Sequence, residues 1–292
     1  MSREAQQENI KTIAVLDLET NGLPWQQNNT CAITELSIYA FPATFLKDNN
    51  EDAIVLQLND DMDVIENMTV KPPEMPRVLH KMTMMINPEG PIHPVAAKMS
   101  GLSNQMLDSE TPFDENTANC LLMFLERLEK PVCFVAHNGW SFDYPIIRYV
   151  FDTINMTIPA SIYCIDSFQA FREIDEKQTQ IDEVKSEISE CDHMSPSLQR
   201  ESDKRSFALS RYRTLFSEPF KPKTRFPVKG TYVLGNIYER IFQQPAEHLH
   251  RAESDVAILS ELILHHGLIF LAYVEERKRS FAEVSKLGSK ST

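Results

Sequence analysis

The segment that most constrains the fold is a short apolar run, TIAVLDLE at residues 12–19, which ends in two carboxylates. The run is typical of a buried strand. In a strand, residues i and i+2 point to the same face, so Asp17 and Glu19 project together at its carboxyl end. Two carboxylates that lie so close repel each other unless a cation lies between them. The pattern therefore predicts a cation site, with a solvated strand end as the alternative, because D-x-E alone is common.

Further apolar segments predict an α/β fold with mixed strand pairing. Strands are predicted at residues 33–41, 79–86 and 132–136, and SIYCIDSFQAF at 161–171 predicts a strand that enters a helix. Helical spacing is found at residues 113–130, 231–242 and 250–264. Strands that come first and helices that then alternate with strands are typical of a single sheet covered by helices.

Two further acidic residues lie where such a fold would bring them near the first pair. Asp143 follows the apolar strand at 132–136 and opens a helix, and Asp255 lies in the first turn of another helix, just after His250. Either carboxylate alone is explained by the helix dipole, which favours acids at helix starts. Four acids and a histidine, each at the end of an element, instead favour a hard-cation site of the Mg²⁺ or Mn²⁺ type.

Cysteine usage and hydropathy predict an intracellular protein, cytoplasmic or nuclear, without a membrane span. The five cysteines are scattered and form no CxxC pair, which indicates neither a disulfide framework nor a zinc site. The N-terminal segment has no apolar secretory core. The most apolar stretch, residues 256–274, is interrupted by Glu261, His265 and His266, so we expect buried helices that separate near Gly267.

The net charge of −13 argues against nucleic-acid binding by bulk charge, since such domains are usually basic. A nucleic-acid enzyme built from this chain would need metal ions and a local basic patch. Residues 172–230 are acid-rich up to about 198, basic over 200–229, and contain few core-type residues. They predict a charged insertion, partly helical or disordered. The basic part either tracks a nucleic-acid backbone or is a solvated linker.

Three segments together resemble a known family. DLETNGLP, HNGWSFDYP and HRAESD are similar to the three motifs of the DEDDh group of DnaQ-like 3′→5′ exonucleases, which have an RNase H-like fold. PVAAKMSGLSNQML, FDENTANCLLMFL and TYVLGNIYERIF narrow the resemblance to the animal three-prime repair exonucleases (TREX). The resemblance implies a mixed sheet flanked by helices, in one exonuclease domain at 11–275 with the insertion at about 172–230. Residues 1–10 and 276–292 are then terminal tails.

The resemblance also implies a set of site residues. Two Mg²⁺ ions, or Mn²⁺ in their place, would be held by Asp17, Glu19, Asp143 and Asp255. His250, five residues before Asp255, would be the general base, whereas His248 has the wrong spacing. The residues implied to contact substrate are Leu23, Pro24, Phe142 and Tyr232.

The function implied is removal of nucleotides from 3′ ends of DNA, with a preference for single-stranded or frayed ends. One alternative is an exonuclease that trims RNA, since the 2′-hydroxyl contact that decides between them cannot be identified from sequence. Another is a catalytically silent nucleic-acid-binding module. The resemblance further implies a homodimer, formed through the strand at 79–86 and the helix at 113–130.

Overall fold

The structure is a computed structural model that describes residues 8–47, 57–58, 64–65, 70–194 and 201–289. Its main sheet has six strands in the order β5-β2-β1-β6-β7-β8, and β3 and β4 form a separate two-stranded ribbon. The strands are β1 Thr12–Thr20, β2 Ile33–Pro42, β3 Gln57–Leu58, β4 Val64–Ile65, β5 His80–Met85, β6 Val132–Ala136, β7 Ile162–Asp166 and β8 Arg279–Ser280.

Pairing in the sheet is mixed, as the sequence predicts. β1, β6 and β7 run parallel to one another, whereas β2, β5 and β8 are antiparallel to their neighbours. The predicted α/β class with a mixed central sheet is therefore confirmed. Because parallel strands end at the same edge of a sheet, the chain segments that follow β1, β6 and β7 meet there.

Helices cover both faces of the sheet. They are α1 Pro94–Ser100, α2 Asn104–Leu107, α3 Glu115–Glu126, α4 Asp143–Thr153, α5 Ser167–Glu176, α6 Gln178–Met194, α7 Glu201–Phe216, α8 Leu234–Phe242 and α9 Ala252–Arg277. α3 and α4 pack on one face, against even-numbered β1 residues such as Leu16, and α5–α9 pack on the other, against Ile13 and Val15. The alternation of β1 thus divides the core into two halves.

The longest helix, α9, is broken at Gly267, where the sequence predicts a separation. Gly267 has φ 51° and ψ −125°, and a Cβ there would lie 1.9 Å from the carbonyl oxygen of Lys47. The Leu268 amide donates to that same oxygen over 2.9 Å. By length and composition α9 passes the test for a membrane span, but 78% of its apolar window is buried, as expected of a core helix.

The charged segment at 172–230 contributes to the core in its described part. Ile181, Val184 and Ile188 on α6, with Tyr212 and Phe216 on α7, are buried in the core half that includes α9. This differs from the expectation of few core residues. Three or four apolar side chains on each helix are enough to form a buried stripe, although the composition is dominated by charge.

Residues just outside the predicted domain limits also contact the core. Arg279–Ser280 pair with β7, and Phe281 and Val284 are buried. At the other end, Ile10 is buried and its amide donates to Glu275 over 2.6 Å. Elements this short carry no periodicity that a sequence could display. Most of the polar segment at 47–76 and all of residues 1–7 lie outside the described residues.

Candidate active site

Asp17 and Glu19 lie at the carboxyl end of β1, on the side of the sheet that α9 covers. They continue the odd-numbered face that Ile13 and Val15 bury against α9. Asp255 lies in the first turn of α9 and Asp143 is the first residue of α4. The two strand carboxylates and two helix starts thus meet at the sheet edge.

A cavity of about 270 Å³ opens at this edge. Its acidic wall is formed by Asp17, Glu19 and Asp255, with His250 beside them. Glu19, His250 and Asp255 each offer a ligand atom, and these atoms lie within 4.8 Å of one another. The apolar walls are formed by Leu23, Phe142, Val95, Ala96 and Met99. The cavity therefore combines one acidic wall with apolar walls suited to a nucleobase or another flat apolar group.

The turn after β6 sets the position of Asp143. Asp166, at the end of β7, accepts hydrogen bonds from the backbone amides of Asn138 (2.9 Å) and Trp140 (3.4 Å). Only glycine fits at position 139 of this turn, because a Cβ there would lie 2.7 Å from the ring of Tyr144. The Tyr144 hydroxyl in turn accepts from the Ala136 amide over 2.9 Å. Buried hydrogen bonds from two strands therefore fix the start of α4.

His250 lies on the loop that enters α9 and has a left-handed backbone conformation, with φ 66°. Its amide donates to Oδ2 of Asp255 over 3.0 Å, and its side chain is exposed at the cavity. A non-glycine residue in this region costs on the order of 1 kcal/mol and persists only where surrounding contacts hold it. The histidine is therefore held beside the carboxylates by local structure.

Burial and mutual repulsion raise the pKa values of the carboxylates. The pKa of Glu19 rises to about 8, through burial first and then through Asp255, Glu35 and Asp143. Burial also raises the pKa of Asp255 to about 6. The pKa values of Asp17 and Asp143 lie well above the ordinary range, with burial the largest cause for each. Such a cluster holds negative charge poorly unless cations compensate for it.

Two carboxylate oxygens in the cluster are available as cation ligands. Oδ1 of Asp143 and Oδ1 of Asp255 are buried and have no hydrogen-bond donor among the described residues. Buried polar atoms are nearly always paired, so these orphaned oxygens point to a ligand. An all-oxygen set of carboxylates suits Mg²⁺ or Mn²⁺, and the residues present fit such an ion.

The structure brings together most of the residues that the sequence predicts for the site. Asp17, Glu19, His250, Asp255, Leu23 and Phe142 line one cavity. Asp143 is buried beside them and raises the pKa of Asp17. Pro24 is buried in a short 3₁₀ turn next to Leu23 and is not among the residues that line the cavity.

Tyr232, which was predicted to contact substrate, does not line this cavity. Only 9% of it is exposed, and its ring packs on Phe168 with the centroids 5.7 Å apart. Its backbone carbonyl forms a hydrogen bond with Nε2 of His137 over 2.8 Å. Tyr232 is thus a core residue in this structure, because the loop before α8 packs onto α5 and does not reach the cavity.

Two further carboxylates belong to the site and were missed in the sequence. Glu35 on β2 lies opposite Glu19 in the strand register, is buried, and accepts from the Ala252 amide over 3.2 Å. Asp166 holds the turn before Asp143, as described above. The sequence does contain a signal for Asp166, because this carboxylate follows an apolar run as Asp17 does. Glu35 shows none, because only the pairing of β1 with β2 brings it near the cluster.

Comparison with known proteins finds similarity to exonucleases. No protein-family model matches it. It is 26% identical over 279 residues to the three prime repair exonuclease 2 of Mus musculus, across 95% of this chain and 92% of that protein. It is 27% identical over 278 residues to the three-prime repair exonuclease 1 of Homo sapiens, across 94% and 70%.

A solved structure with a similar fold is that of E. coli exonuclease I with single-stranded DNA, in a zinc-bound form. The TM-score is 0.50 at 12% identity, and the match covers 91% of this chain. The chain spans 43% of the length of that exonuclease, so the likeness concerns the shared fold alone.

The fold, the carboxylate cluster and these relatives support the class that the sequence motifs predicted, the DnaQ-like 3′→5′ exonucleases. Within this class, the relatives that match nearly its whole length are three-prime repair exonucleases, as the additional motifs predicted.

Proposed function

We propose that this chain is a metal-dependent 3′→5′ exodeoxyribonuclease that prefers single-stranded or frayed ends. The observation that carries the proposal is the convergence of Glu19, His250 and Asp255 within 4.8 Å in the cavity at the carboxyl end of β1. The named relatives are repair exonucleases, and the exonuclease of similar fold was solved with single-stranded DNA, which supports DNA as the substrate.

The metal ligands in this proposal are the four clustered carboxylates: Asp17, Glu19, Asp143 and Asp255. The buried oxygens of Asp143 and Asp255 that lack donors, and the raised pKa values of all four carboxylates, support two Mg²⁺ ions, with Mn²⁺ as a substitute. When bound, such ions supply Lewis-acid stabilisation of the charge that develops on the attacking and leaving oxygens.

His250 acts as the general base in the proposed reaction. Its imidazole is exposed at the cavity, next to the carboxylates of Glu19 and Asp255. Imidazole is the side chain best suited to accept a proton at neutral pH, so it would take the proton of the attacking water. Its left-handed backbone, held by the hydrogen bond from its amide to Asp255, keeps the ring at this edge.

Leu23 and Phe142 would contact the terminal nucleotide. Both are half-buried and line the apolar side of the cavity, and Pro24 is buried at the next position in the chain after Leu23. Stacking and apolar contact accept any base, which fits an exonuclease that must proceed through every sequence.

The basic segment divides in the structure into paired and unpaired charges. Arg211 forms an ion pair with Glu187, and Arg213 forms one with Glu276 over 2.6 Å. Arg205 donates to the backbone carbonyls of Ala43 and Leu46. Four basic side chains further along form no ion pair with any residue in the described ranges: Lys221, Lys223, Arg225 and Lys229. We therefore assign the contact with the DNA backbone to the loop at 221–229.

That loop is anchored and presents apolar tips. The amide of Lys223 donates to Glu176 over 2.7 Å, and Phe226 and Val228 are 75% and 81% exposed. Exposed aromatic and basic side chains on one anchored loop suit a single strand, through stacking and charge.

A homodimer, a cytoplasmic or nuclear location and the domain limits at 11–275 stay predictions. For the dimer, β5 is an edge strand of the sheet, and Met123 on α3 is 63% exposed. Pairing of β5 with its copy would cover that edge. Analytical ultracentrifugation over a range of concentrations tests this.

The experiment that tests the function compares 3′-labelled and 5′-labelled single strands of DNA and RNA with Mg²⁺ or EDTA. We expect stepwise shortening of DNA from the 3′ end with Mg²⁺ only. The matched variant is Asp143→Asn, which keeps the size of the side chain and should lose nearly all cleavage. Faster cleavage of RNA would favour the RNA-trimming alternative, and binding of DNA without cleavage would favour the silent module.

A further inference from the structure

The first turn of α9 is held from β2 by Glu35, which adjoins the carboxylate cluster, and by Tyr39, which lies outside it. Two residues on the same face of β2 contact it: Oε2 of Glu35 accepts from the Ala252 amide over 3.2 Å, and the hydroxyl of Tyr39 donates to Oε1 of Glu253 over 2.8 Å. Glu35 and Tyr39 are only 5% and 3% exposed. Both contacts therefore start from buried side chains of β2, although Glu253 itself is exposed.

These contacts replace a cap that the helix lacks. The N-cap residue of α9 is Arg251, whose side chain makes no capping hydrogen bond. The first amides of a helix need acceptors, and Glu35 supplies one from a different strand. The helix start is thereby tied to β2, which pairs with the strand that carries Asp17 and Glu19.

The direction of the Tyr39 hydrogen bond is set by a third residue, on the edge strand β5. The ammonium of Lys81, opposite Tyr39 in the register, donates to the Tyr39 hydroxyl over 2.8 Å and lies 4.0 Å from the ring centroid. A lysine ammonium can only donate. The hydroxyl oxygen therefore accepts from Lys81, and its own hydrogen is left for Glu253.

We propose that Lys81, Tyr39 and Glu253 form a positioning relay that, with Glu35, holds the entry of α9 so that His250 and Asp255 keep their places in the cavity. The geometry requires such a hold. His250 has φ 66° and His248 has φ 55°, and backbone of this kind relaxes unless its flanks are fixed. Glu253 lies between His250 and Asp255 along the chain, and Asp255 accepts from the amide of His250, so a shift of Glu253 moves both.

The inference rests on the proposed function, and its first test measures turnover of single-stranded DNA. Tyr39→Phe removes one oxygen and leaves the ring packing. We expect kcat to fall about 10-fold with KM changed less than about 2-fold, because the hydrogen bond is made to a charged group and acts on the helix entry and not on bound DNA. Tyr149→Phe, on α4, is the matched control and should leave both constants unchanged.

A double-mutant cycle then separates a relay from independent effects. Glu253→Leu should lower kcat as much as Tyr39→Phe, and the double variant should lose no more than either single variant. Glu253→Gln keeps an acceptor for the hydroxyl and should recover most of the activity. Additive losses, or an equal loss in Glu253→Gln and Glu253→Leu, would overturn the relay.

The second test needs no activity. Hydrogen exchange of the metal-free protein, measured on peptides that cover residues 248–256, should be about 10-fold faster in Tyr39→Phe and unchanged in Tyr149→Phe. Unaltered exchange in Tyr39→Phe refutes the inference. If the wild-type protein has no nuclease activity, the proposed function fails, and the exchange result still decides whether Tyr39 holds the helix entry.

Discussion

Replacement of Glu19 by Gln should stabilise the metal-free protein, although Glu19 is a proposed metal ligand. The pKa of Glu19 in the folded protein is raised from 4.5 to about 8, chiefly by burial and by neighbouring carboxylates. A group with a raised folded pKa contributes its full stability below the unfolded pKa and loses it as the pH rises through the folded pKa. The metal-free wild-type protein should therefore lose stability between about pH 4.5 and pH 8.

The size of the effect follows from the same shift. At pH 7.5 the unfolded carboxyl is ionised and the folded one is mostly protonated. The free energy of unfolding is then lower than at acid pH by about 4 kcal/mol, at about 1.4 kcal/mol per pH unit. Glu19 is half-buried and shares its repulsion with three other acids. We therefore expect Glu19→Gln to raise the free energy of unfolding of the metal-free protein by about 2 kcal/mol. For a chain of this size that corresponds to a rise in Tm of about 5 °C in Glu19→Gln.

The assay is thermal unfolding at pH 5 and pH 7.5, with EDTA or with saturating Mg²⁺. In EDTA at pH 7.5 the Glu19→Gln variant should unfold at a higher temperature than the wild type, and at pH 5 the difference should shrink. With Mg²⁺ the order should reverse, because a ligand at 100 times its Kd stabilises the wild type by about 2.7 kcal/mol. The control is Glu110→Gln, at an exposed glutamate. A wild-type Tm in EDTA that does not change from pH 5 to pH 8 would refute the reasoning.

Three further variants test other parts of the structure. His250→Ala should lower kcat by about 100-fold or more, since general bases contribute about that much, and should leave the rise in Tm with Mg²⁺ intact; loss of that rise would make His250 a metal ligand instead. Neutralising Lys221, Lys223, Arg225 and Lys229 together should weaken DNA binding and reduce the slope of log K against log salt by about 2–3, measured by fluorescence anisotropy. The comparison variant is Arg211→Gln with Arg213→Gln, because both of these arginines are already in ion pairs. An equal change of the slope in that variant would contradict the assignment of the DNA-backbone contact to the loop at 221–229. Gly267→Ala should cost about 3 kcal/mol or more in urea unfolding, because its Cβ would lie 1.9 Å from the Lys47 carbonyl oxygen. Gly101→Ala, with φ 74° and open space around it, should cost only about 1 kcal/mol, and equal losses would show that the contact with Lys47 is not the cause.

Local patterns in the sequence were enough to predict the central part of the fold and most of the candidate site. The i, i+2 spacing of Asp17 and Glu19, and the helix starts at Asp143 and Asp255, are properties of single elements. Glu35 could not be found in this way, because it joins the cluster only through the pairing of β1 with β2. The two-residue strand at Arg279–Ser280 was missed because it is too short to show alternation.

The position of Tyr232 could not be predicted for a different reason. An aromatic residue before α8 fits a substrate contact by resemblance, but which way its side chain points depends on how the loop before α8 packs. In this chain the Tyr232 ring lies against Phe168, and Arg240 lies over it, 5.7 Å from the ring centroid. Long-range packing of this kind leaves no trace in the spacing of residues.

The site has two parts, a rigid one whose side chains are fixed by the sheet and a second one, with His250, that is positioned by contacts from other side chains. Asp17 and Glu19 lie on a central strand, and Asp143 follows a turn fixed by Asp166, so their positions are set by buried hydrogen bonds of the sheet. His250 instead lies on an exposed loop with a left-handed backbone, and its place depends on side chains from β2 and β5. Repulsion among the carboxylates acts on the rigid part, where the backbone resists it, and metal binding would relieve it there. The position of the proposed base is therefore the property of this site that substitutions away from the cavity can change most easily.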